Sequence, residues 1–346
     1  MTDGEFRARL PRRAELDAAR TRIAGVAVHT PLLPFCPAVA PAPGRARSAE
    51  VFLKCEHRQP VRAFKIRGAA SAMLGAPRSA LDRGVWTASA GNMAQGVAYV
   101  ARALGVPCRV VVPDHAPRAK LDAIAALGAE YVKVPFDAWW QAMLAHAHPG
   151  MDGLMIHPFA DAAVMAGNGT IGLELAEDAS DLDAVLVPWG GGGLALGIAA
   201  ALRDVSPGTK IYAVEVETAA PLTASFAAGR PVAVTRTPTW IDGMGSDRVS
   251  AEMWPLVPGL IAGTVVVTVK QVASALRVVY ETTGDVVEGA GAAAVAAAMD
   301  GVVYDAPGTD SAPAPRLLDA RRVACIISGG NIDREVAERI LNGESP

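Results

Sequence analysis

The chain has 346 residues, 51% hydrophobic and 19% charged, which is enough apolar content for a large core and enough length for two domains. A formal net charge of -3 without any dense Lys/Arg block excludes a nucleic-acid or membrane-surface partner, because phosphate recognition needs a basic footprint. The weakly polar runs "GGGGLALGIAAAL" and "GAGAAAVAAAM" fall short of the roughly 18 residues that span a bilayer and read as buried small-residue helices, so the expected partner is a small molecule.

The N-terminal stretch alternates acidic and basic residues, lacks the apolar core of a secretory signal and reads as a leading helix. Residues 1–50 carry "HTPLLP" and little strand pattern, which predicts a segment draped over the larger domain. From residue 51 the strands "VFLKC", "GVWTAS", "CRVVVP" and "EYVKVP" alternate with helices near 69–76, 92–104, 117–127 and 137–147. That block predicts a small α/β domain over 51–150, inserted into a large domain formed by 1–50 and 151–346. The second series reads "LMIH", a helix near 164–177, "AVLVP", a helix after the glycines, "KIYAVE", "TVVVTV" and "RRVACIIS". The Pro- and Gly-rich stretches 229–262 and 301–320 predict loops, and "DAPGTDSAPAPR" predicts mobility. Cys36, Cys55, Cys108 and Cys325 show neither CxxC nor His/Cys spacing, so no zinc site or disulfide frame is signalled and a reducing, cytoplasmic setting follows.

Three constellations carry chemistry. In "VPWGGGGLALGIAAAL" a strand runs into four consecutive glycines and then a helix. Glycines let backbone N–H groups approach an anion, and the positive end of the helix stabilises it. The spacing fits neither GxGxxG nor a Walker loop, which counts against a nicotinamide-binding oxidoreductase. In "TASAGNMAQG", Ser89-Ala90-Gly91-Asn92 joins a strand to a helix, either as a cap or as a loop offering N–H groups to a carboxylate and the Asn92 amide to an oxyanion. Ser328 in "ACIISGGNID" sits at the carboxyl end of a strand, where open α/β sheets bind ligands, or serves as a turn former. Glu288 in "VVEGAGA" is equally consistent with a first-turn acidic residue of a helix. Lys65 lies between Phe64 and Ile66, and a desolvated amine is a better nucleophile at neutral pH. A phosphate cradle, a carboxylate loop and a nucleophilic lysine together describe pyridoxal phosphate held as a Schiff base.

Taken in order, "AFKIRGA", "SAGNMAQG", "HPFADAAVMAGNGTIGLEL", "GGGG", "DGMG", "VVEGAGA" and "SGGN" closely resemble the serine/threonine dehydratase and serine racemase branch of fold-type II pyridoxal-phosphate enzymes. The resemblance implies an α/β fold of two domains with open, mostly parallel twisted sheets flanked by helices, similar to the tryptophan synthase β chain. It implies that Lys65 carries the cofactor and removes the substrate α-proton, with Phe64 flanking the ring. Gly190, Gly191, Gly192, Gly193 and Leu194 would cradle the phosphate, Asn92 would bond the phenolic oxygen, and Gly243 and Glu288 would complete the cofactor set. Ser328 would face the pyridine nitrogen, while Ser89, Ala90, Gly91 and Met93 would surround the substrate carboxylate.

The implied activity is α,β-elimination from a β-hydroxy amino acid of the threonine or serine type, giving a 2-oxo acid and ammonia. A serine or amino-acid racemase and a 3-hydroxyaspartate dehydratase are alternatives on the same scaffold, and a catalytically silent ligand-binding relative is an alternative of another class. Relatives of this branch are commonly dimers or tetramers, which predicts a homo-oligomer. The chain departs from the pattern at Met93 for histidine, Asn168 for glutamine and Arg62-Ala63 for Gly-Ser. Some relatives bind a divalent cation at the position of Glu215, but Pro221 stands at their second acidic position, so no metal site is expected. Trp139 and Trp140 either approach the cleft or pack as ordinary aromatics.

Overall fold

The computed structural model describes residues 8–36, 49–300, 302–307, 316–317 and 320–346. Helix α1 (Arg13–Ile23) leads into strands β1 (Leu32–Phe35) and β2 (Glu50–Lys54), followed by α2 (Lys65–Gly75) and the short α3 (Arg78–Leu81). The next segment alternates β3 (Val85–Ala88), α4 (Asn92–Leu104), β4 (Cys108–Pro113), α5 (Arg118–Ala126), β5 (Glu130–Val134), α6 (Phe136–Ala145) and β6 (Leu154–Met155). Then come α7 (Ala162–Asp178), β7 (Ala184–Pro188), α8 (Gly193–Val205), β8 (Lys210–Val216), α9 (Pro221–Ala228), β9 (Gly263–Val267), α10 (Val269–Thr283) and α11 (Gly289–Asp300). The chain closes with β10 (Val302–Asp305), β11 (Arg316–Leu317), β12 (Arg322–Ile326) and α12 (Arg334–Leu341).

Among the described residues these strands form an eight-stranded sheet, in the order β1-β2-β12-β7-β8-β9-β10-β11, and a four-stranded sheet in the order β5-β4-β3-β6. The smaller sheet is parallel throughout, and the larger is parallel from β2 to β9 with antiparallel partners at both edges. Central strands such as β7 are buried along their whole length, as parallel strands covered on both faces require.

The sheet assignments differ from expectation at three strands. "VFLKC", expected in the smaller sheet, pairs with β12 in the larger one, where Val51 lies opposite Val323. "LMIH", expected to open the larger sheet, places Leu154 opposite Val85 in the smaller. "HTPLLP" contributes a strand after all, since β1 pairs antiparallel with β2. The smaller sheet therefore draws its strands from residues 85–155. A short apolar run specifies a strand by its period, but its neighbours are chosen by long-range packing that the period does not encode. The stretch 229–262 is mostly loop, whereas β10 and β11 fall within the second stretch expected to be loop; residues 308–315 of "DAPGTDSAPAPR" lie outside the described residues.

Helices α7 and α8 pack with almost no side-chain separation. A Cβ on Gly197 would lie 2.5 Å from the Met165 carbonyl oxygen, and one on Gly169 would lie 2.6 Å from that of Gly197. This close approach explains "AGNGTIGLEL" better than any ligand does, and it fixes the helix that follows the glycine loop. No helix among the described residues is long and apolar enough to cross a membrane.

Candidate active site

Lys65 is the first residue of α2, and its Nζ donates to the Pro158 carbonyl at 2.6 Å while lying 5.1 Å from the centre of the Phe64 ring. Desolvation lowers its pKa to about 8, opposed by the Glu288 carboxylate. The turn before it is tied to the segment after β12. The Phe64 N–H donates to the Ser328 carbonyl at 3.0 Å, and the Gly330 N–H donates to that of Arg62 at 2.8 Å. Two residues on, the buried Arg67 guanidinium spans Glu56 on one side, at 2.7 and 2.8 Å, and Glu174 of α7 on the other, at 2.6 and 2.9 Å. Two of these charge-assisted bonds hold α2 against α7 and the other two tie it to the Glu56 segment, and together they fix the orientation of Lys65.

Gly190, Gly191 and Gly192 lie between β7 and α8 and Gly193 opens α8, with Gly192 at φ +89°. A Cβ on Gly190 would stand 2.8 Å from the Gly243 carbonyl oxygen, and one on Gly191 would fall 2.2 Å from the Phe159 ring. A Cβ on Gly193 would meet the Phe159 carbonyl oxygen at 2.7 Å. Gly193 and Leu194 open α8, so their N–H groups have no intrahelical acceptor. Asn168 of α7 donates to the Gly193 carbonyl at 3.2 Å, which ties this loop to the helix below it. Gly243 itself has φ +82°, and a Cβ there would stand 3.7 Å from Ala290 Cβ and 3.9 Å from Glu288 Oε1, so there is open space at this position.

Across from the glycines, Ser89, Ala90 and Gly91 link β3 to α4 and are half-buried, with Ser89 Oγ accepting from the Gly91 N–H at 3.2 Å. Asn92 begins α4, but its amide nitrogen points at both Glu288 oxygens, at 2.8 and 3.1 Å, and its oxygen accepts from Asn331 at 2.9 Å. Burial raises the Glu288 carboxyl to about 7, with Asn92 and the Asn331 N–H opposing it. Ser328 is 3% exposed, and its hydroxyl has no hydrogen-bond partner among the described residues.

Through these contacts Lys65, Phe64, Asn92, Glu288, Gly243 and the neighbourhood of Ser328 come together beside the glycine loop and the Ser89–Gly91 turn. Met93 does not join them: at 1% exposure it belongs to the hydrophobic cluster with Ile66, Met73 and Val97, so the expected substrate contact gives way to a core role. Trp139 and Trp140 pack with Trp86, Met143 and Phe159, as ordinary aromatics do. Glu215 has both oxygens committed, one to the Leu222 N–H at 2.8 Å and the other to the Thr223 N–H and hydroxyl at 2.8 and 2.7 Å. It caps α9 in place of the acidic pair that a cation needs, so the residues here do not fit one.

Several residues carry weight that spacing alone did not reveal. His157 accepts the N–H groups of Phe159 and Ala160 at 3.2 and 2.7 Å, shaping the turn that offers Pro158 to Lys65 and Phe159 to the glycines. The only signal was their place in "HPFADAAV" between two better-read motifs. His146, His157 and Glu252 cluster closely, yet both His157 nitrogens face backbone groups, Nε2 lying 3.2 Å from the Met143 carbonyl, which leaves none for a metal.

The donor set fits pyridoxal phosphate on three independent grounds: an amine of lowered pKa, a glycine loop at a helix N-terminus that side chains would fill, and a buried hydroxyl without a partner among the described residues. Comparison with known proteins agrees. Residues 27–311 match the family model described as pyridoxal-phosphate dependent enzyme. The chain is 40% identical over 285 residues to an L-threonine ammonia-lyase of Geobacter sulfurreducens, covering 82% of this chain and 67% of that protein. Among solved structures, maize serine racemase superposes with a TM-score of 0.82 at 28% identity, covering 96% of this chain and 98% of the other. The threonine deaminase of T.th. gives 0.75 at 33% identity, covering 93% and 99%. A phosphate cradle, a desolvated lysine and this likeness over most of its length lead to one conclusion: the chain belongs to the family of pyridoxal-phosphate dependent enzymes.

Proposed function

We propose that this enzyme is an ammonia-lyase that eliminates water from a β-hydroxy amino acid of the threonine or serine type and releases a 2-oxo acid and ammonia. The observation that carries the reading is Lys65, an amine desolvated to a pKa of about 8 and aimed by the Pro158 carbonyl, so that its neutral form is available to take a proton near neutral pH. Bound pyridoxal phosphate supplies an electron-accepting ring that makes the substrate α-carbon acidic. The glycine loop and the first N–H groups of α8 hold the phosphate, and Phe64 flanks the ring. Ser328 would offer a neutral hydroxyl to the ring, which would not hold a charge there as an acidic residue would, and the β-hydroxyl would leave as water with a proton supplied from the site. The N–H groups of the Ser89–Gly91 turn take the substrate carboxylate, and Lys65 Nζ receives the α-proton. The names of similar proteins support this reading, since relatives at 35–40% identity are called threonine ammonia-lyases or dehydratases.

A racemase is the second reading, favoured by the likeness to maize serine racemase. Against it stands Ala90, whose methyl group cannot supply a proton to the face of the α-carbon opposite Lys65. A panel of L-threonine, L-serine and 3-hydroxyaspartate, with 2-oxo acid and ammonia both quantified, separates the possibilities. Equimolar keto acid and ammonia from threonine or serine are expected. Rapid conversion of L- to D-serine without ammonia would replace the lyase reading with the racemase one.

A further inference from the structure

We propose that Arg62 is a positioning residue that clamps the segments bearing Ser328 and Glu288 onto the turn bearing Lys65, an inference that rests on the assignment of those three residues to the cofactor site. Arg62 has φ +55°, a left-handed conformation that glycine takes freely and a branched or bulky side chain does not. A residue persists in such a conformation when its surroundings over-determine it. Here the surroundings are two carbonyls: Nη2 donates to Val286 at 3.0 Å and to Gly330 at 2.9 Å. Val286 lies two residues before Glu288, and Gly330 two residues after Ser328.

The contact is built from both sides. Gly330 is gripped twice, because its N–H also donates to the Arg62 carbonyl at 2.8 Å. A Cβ on Gly330 would lie 2.8 Å from Arg62 Nη2 and 3.0 Å from the Val286 carbonyl oxygen, so glycine at 330 is what leaves room for the guanidinium. Movement of this loop reaches the site directly. The Glu288 N–H donates to the Gly329 carbonyl at 3.1 Å, and a Cβ on Gly329 would touch Glu288 Oε1 at 2.5 Å. The Phe64 N–H is held by Ser328 at 3.0 Å, so one side chain ties together the three segments that carry the amine, the hydroxyl and the carboxyl. A planar guanidinium with paired N–H groups suits two converging carbonyls, whereas the ammonium of a lysine is a compact point charge.

Arg62→Gly removes the clamp and relaxes the backbone at once, so the lost hydrogen bonds and the relieved strain offset each other in overall stability while the loop contacts are gone. In apoprotein, amide exchange at 286–288 and 329–331 should quicken about tenfold, as expected when a charge-assisted hydrogen bond is lost, with the melting temperature unchanged. Titration with pyridoxal phosphate should show roughly fivefold weaker binding, and the pH midpoint of the visible absorption of the lysine-linked cofactor should move. Arg62→Asn, which tolerates the left-handed region but cannot reach either carbonyl, should reproduce these changes and substitutes for Arg62→Gly if that variant does not fold. Arg62→Lys should restore them only in part. Unchanged exchange in both loop segments, or unchanged cofactor affinity and absorption midpoint, would overturn the clamp while leaving the lyase reading intact. A parent protein that fails to bind pyridoxal phosphate would instead undermine the site assignment, and the exchange measurement on apoprotein would still decide the clamp.

Discussion

Burial acts in opposite directions on the two titratable groups nearest the candidate cofactor: it holds the Lys65 amine down to about 8 and the Glu288 carboxyl up to about 7. Both shifts favour the neutral form. For Lys65 the unfolded chain keeps its proton up to an ordinary value of 10.5 while the folded chain has already lost it, so between about 8 and 10.5 the unfolded state binds more protons. The stability of the apoprotein attributable to this residue must therefore rise with pH across that window, with its full penalty below 8. Denaturant unfolding of apoprotein at pH 8, 9 and 10 should show the rise in the parent and its loss in Lys65→Met; parallel curves would mean that the amine is not desolvated. The flanking Phe64 and Ile66 made Lys65 legible in the sequence, because an amine between apolar residues is unusual. Arg67, which holds the same helix through Glu56 and Glu174, was illegible, since its partners lie 11 and 107 positions away. Ala90 gives a second prediction at this scale. If the Ser89–Gly91 turn takes the substrate carboxylate as proposed, Ala90→Ser should introduce measurable racemisation of L-serine while keeping part of the elimination rate. Chiral chromatography reads the result, and a variant that forms no D-serine would remove Ala90 as the determinant of reaction outcome.

At the scale of elements, the turn from β7 to α8 is specified by neighbours as much as by its own glycines. Gly192 needs its positive φ, but Gly191 is constrained by Phe159, whose ring lies where a Cβ would project. The run of glycines made this turn readable as an anion cradle, while the reason for the second and fourth glycines became visible only once the 157–160 turn was seen to lie across them. Gly191→Ala should push Phe159 aside and weaken cofactor binding at least tenfold, a cost of about 1.4 kcal/mol. Pairing it with Phe159→Ala should recover part of that loss, because the two substitutions share one contact and are not additive. Equilibrium titration of the four proteins of this cycle with pyridoxal phosphate measures the coupling, and strict additivity would show that Phe159 does not set the need for glycine. The helices α4 and α7 were legible to within a few residues because each follows a clear start: Asn92 after Gly91, and Asp161, whose carboxylate accepts the N–H groups of Ala163 and Val164 at 2.7 and 2.9 Å. Helix α10 was not read at all, although Thr268 and Gln271 form a capping box at its start.

At the scale of the whole molecule, the elements around the two sheets pack through α2, α4, α7 and the Phe159 turn, and a small number of polar contacts near the candidate site add to that packing. Asn92 reaches Glu288, Lys120 of α5 pairs with Asp242 beside Gly243, and His146 at the end of α6 faces Glu252. The Lys120 and Asp242 side chains are 29% and 58% exposed, so their pair contributes at most about 1 kcal/mol. A cofactor held as proposed by Lys65 of α2, the β7–α8 glycines and the Ser328 segment, with Asn92 on its far side, would add a further link between the two sheets. Ligand that binds only the folded state stabilises it by about 4 kcal/mol at a thousandfold excess over its Kd. Spread over the unfolding entropy of a chain of this length, that corresponds to an upward shift in melting temperature of roughly 5 °C. Holoenzyme should therefore melt about that much above protein stripped of pyridoxal phosphate, with amide protection gained around Asn92 of α4 on the smaller sheet as well as in the glycine loop of the larger. Lys120→Ala should change the melting temperature of either form by less than a degree or two. A cofactor-induced gain confined to the larger sheet would show that the smaller one does not close on the site through the cofactor.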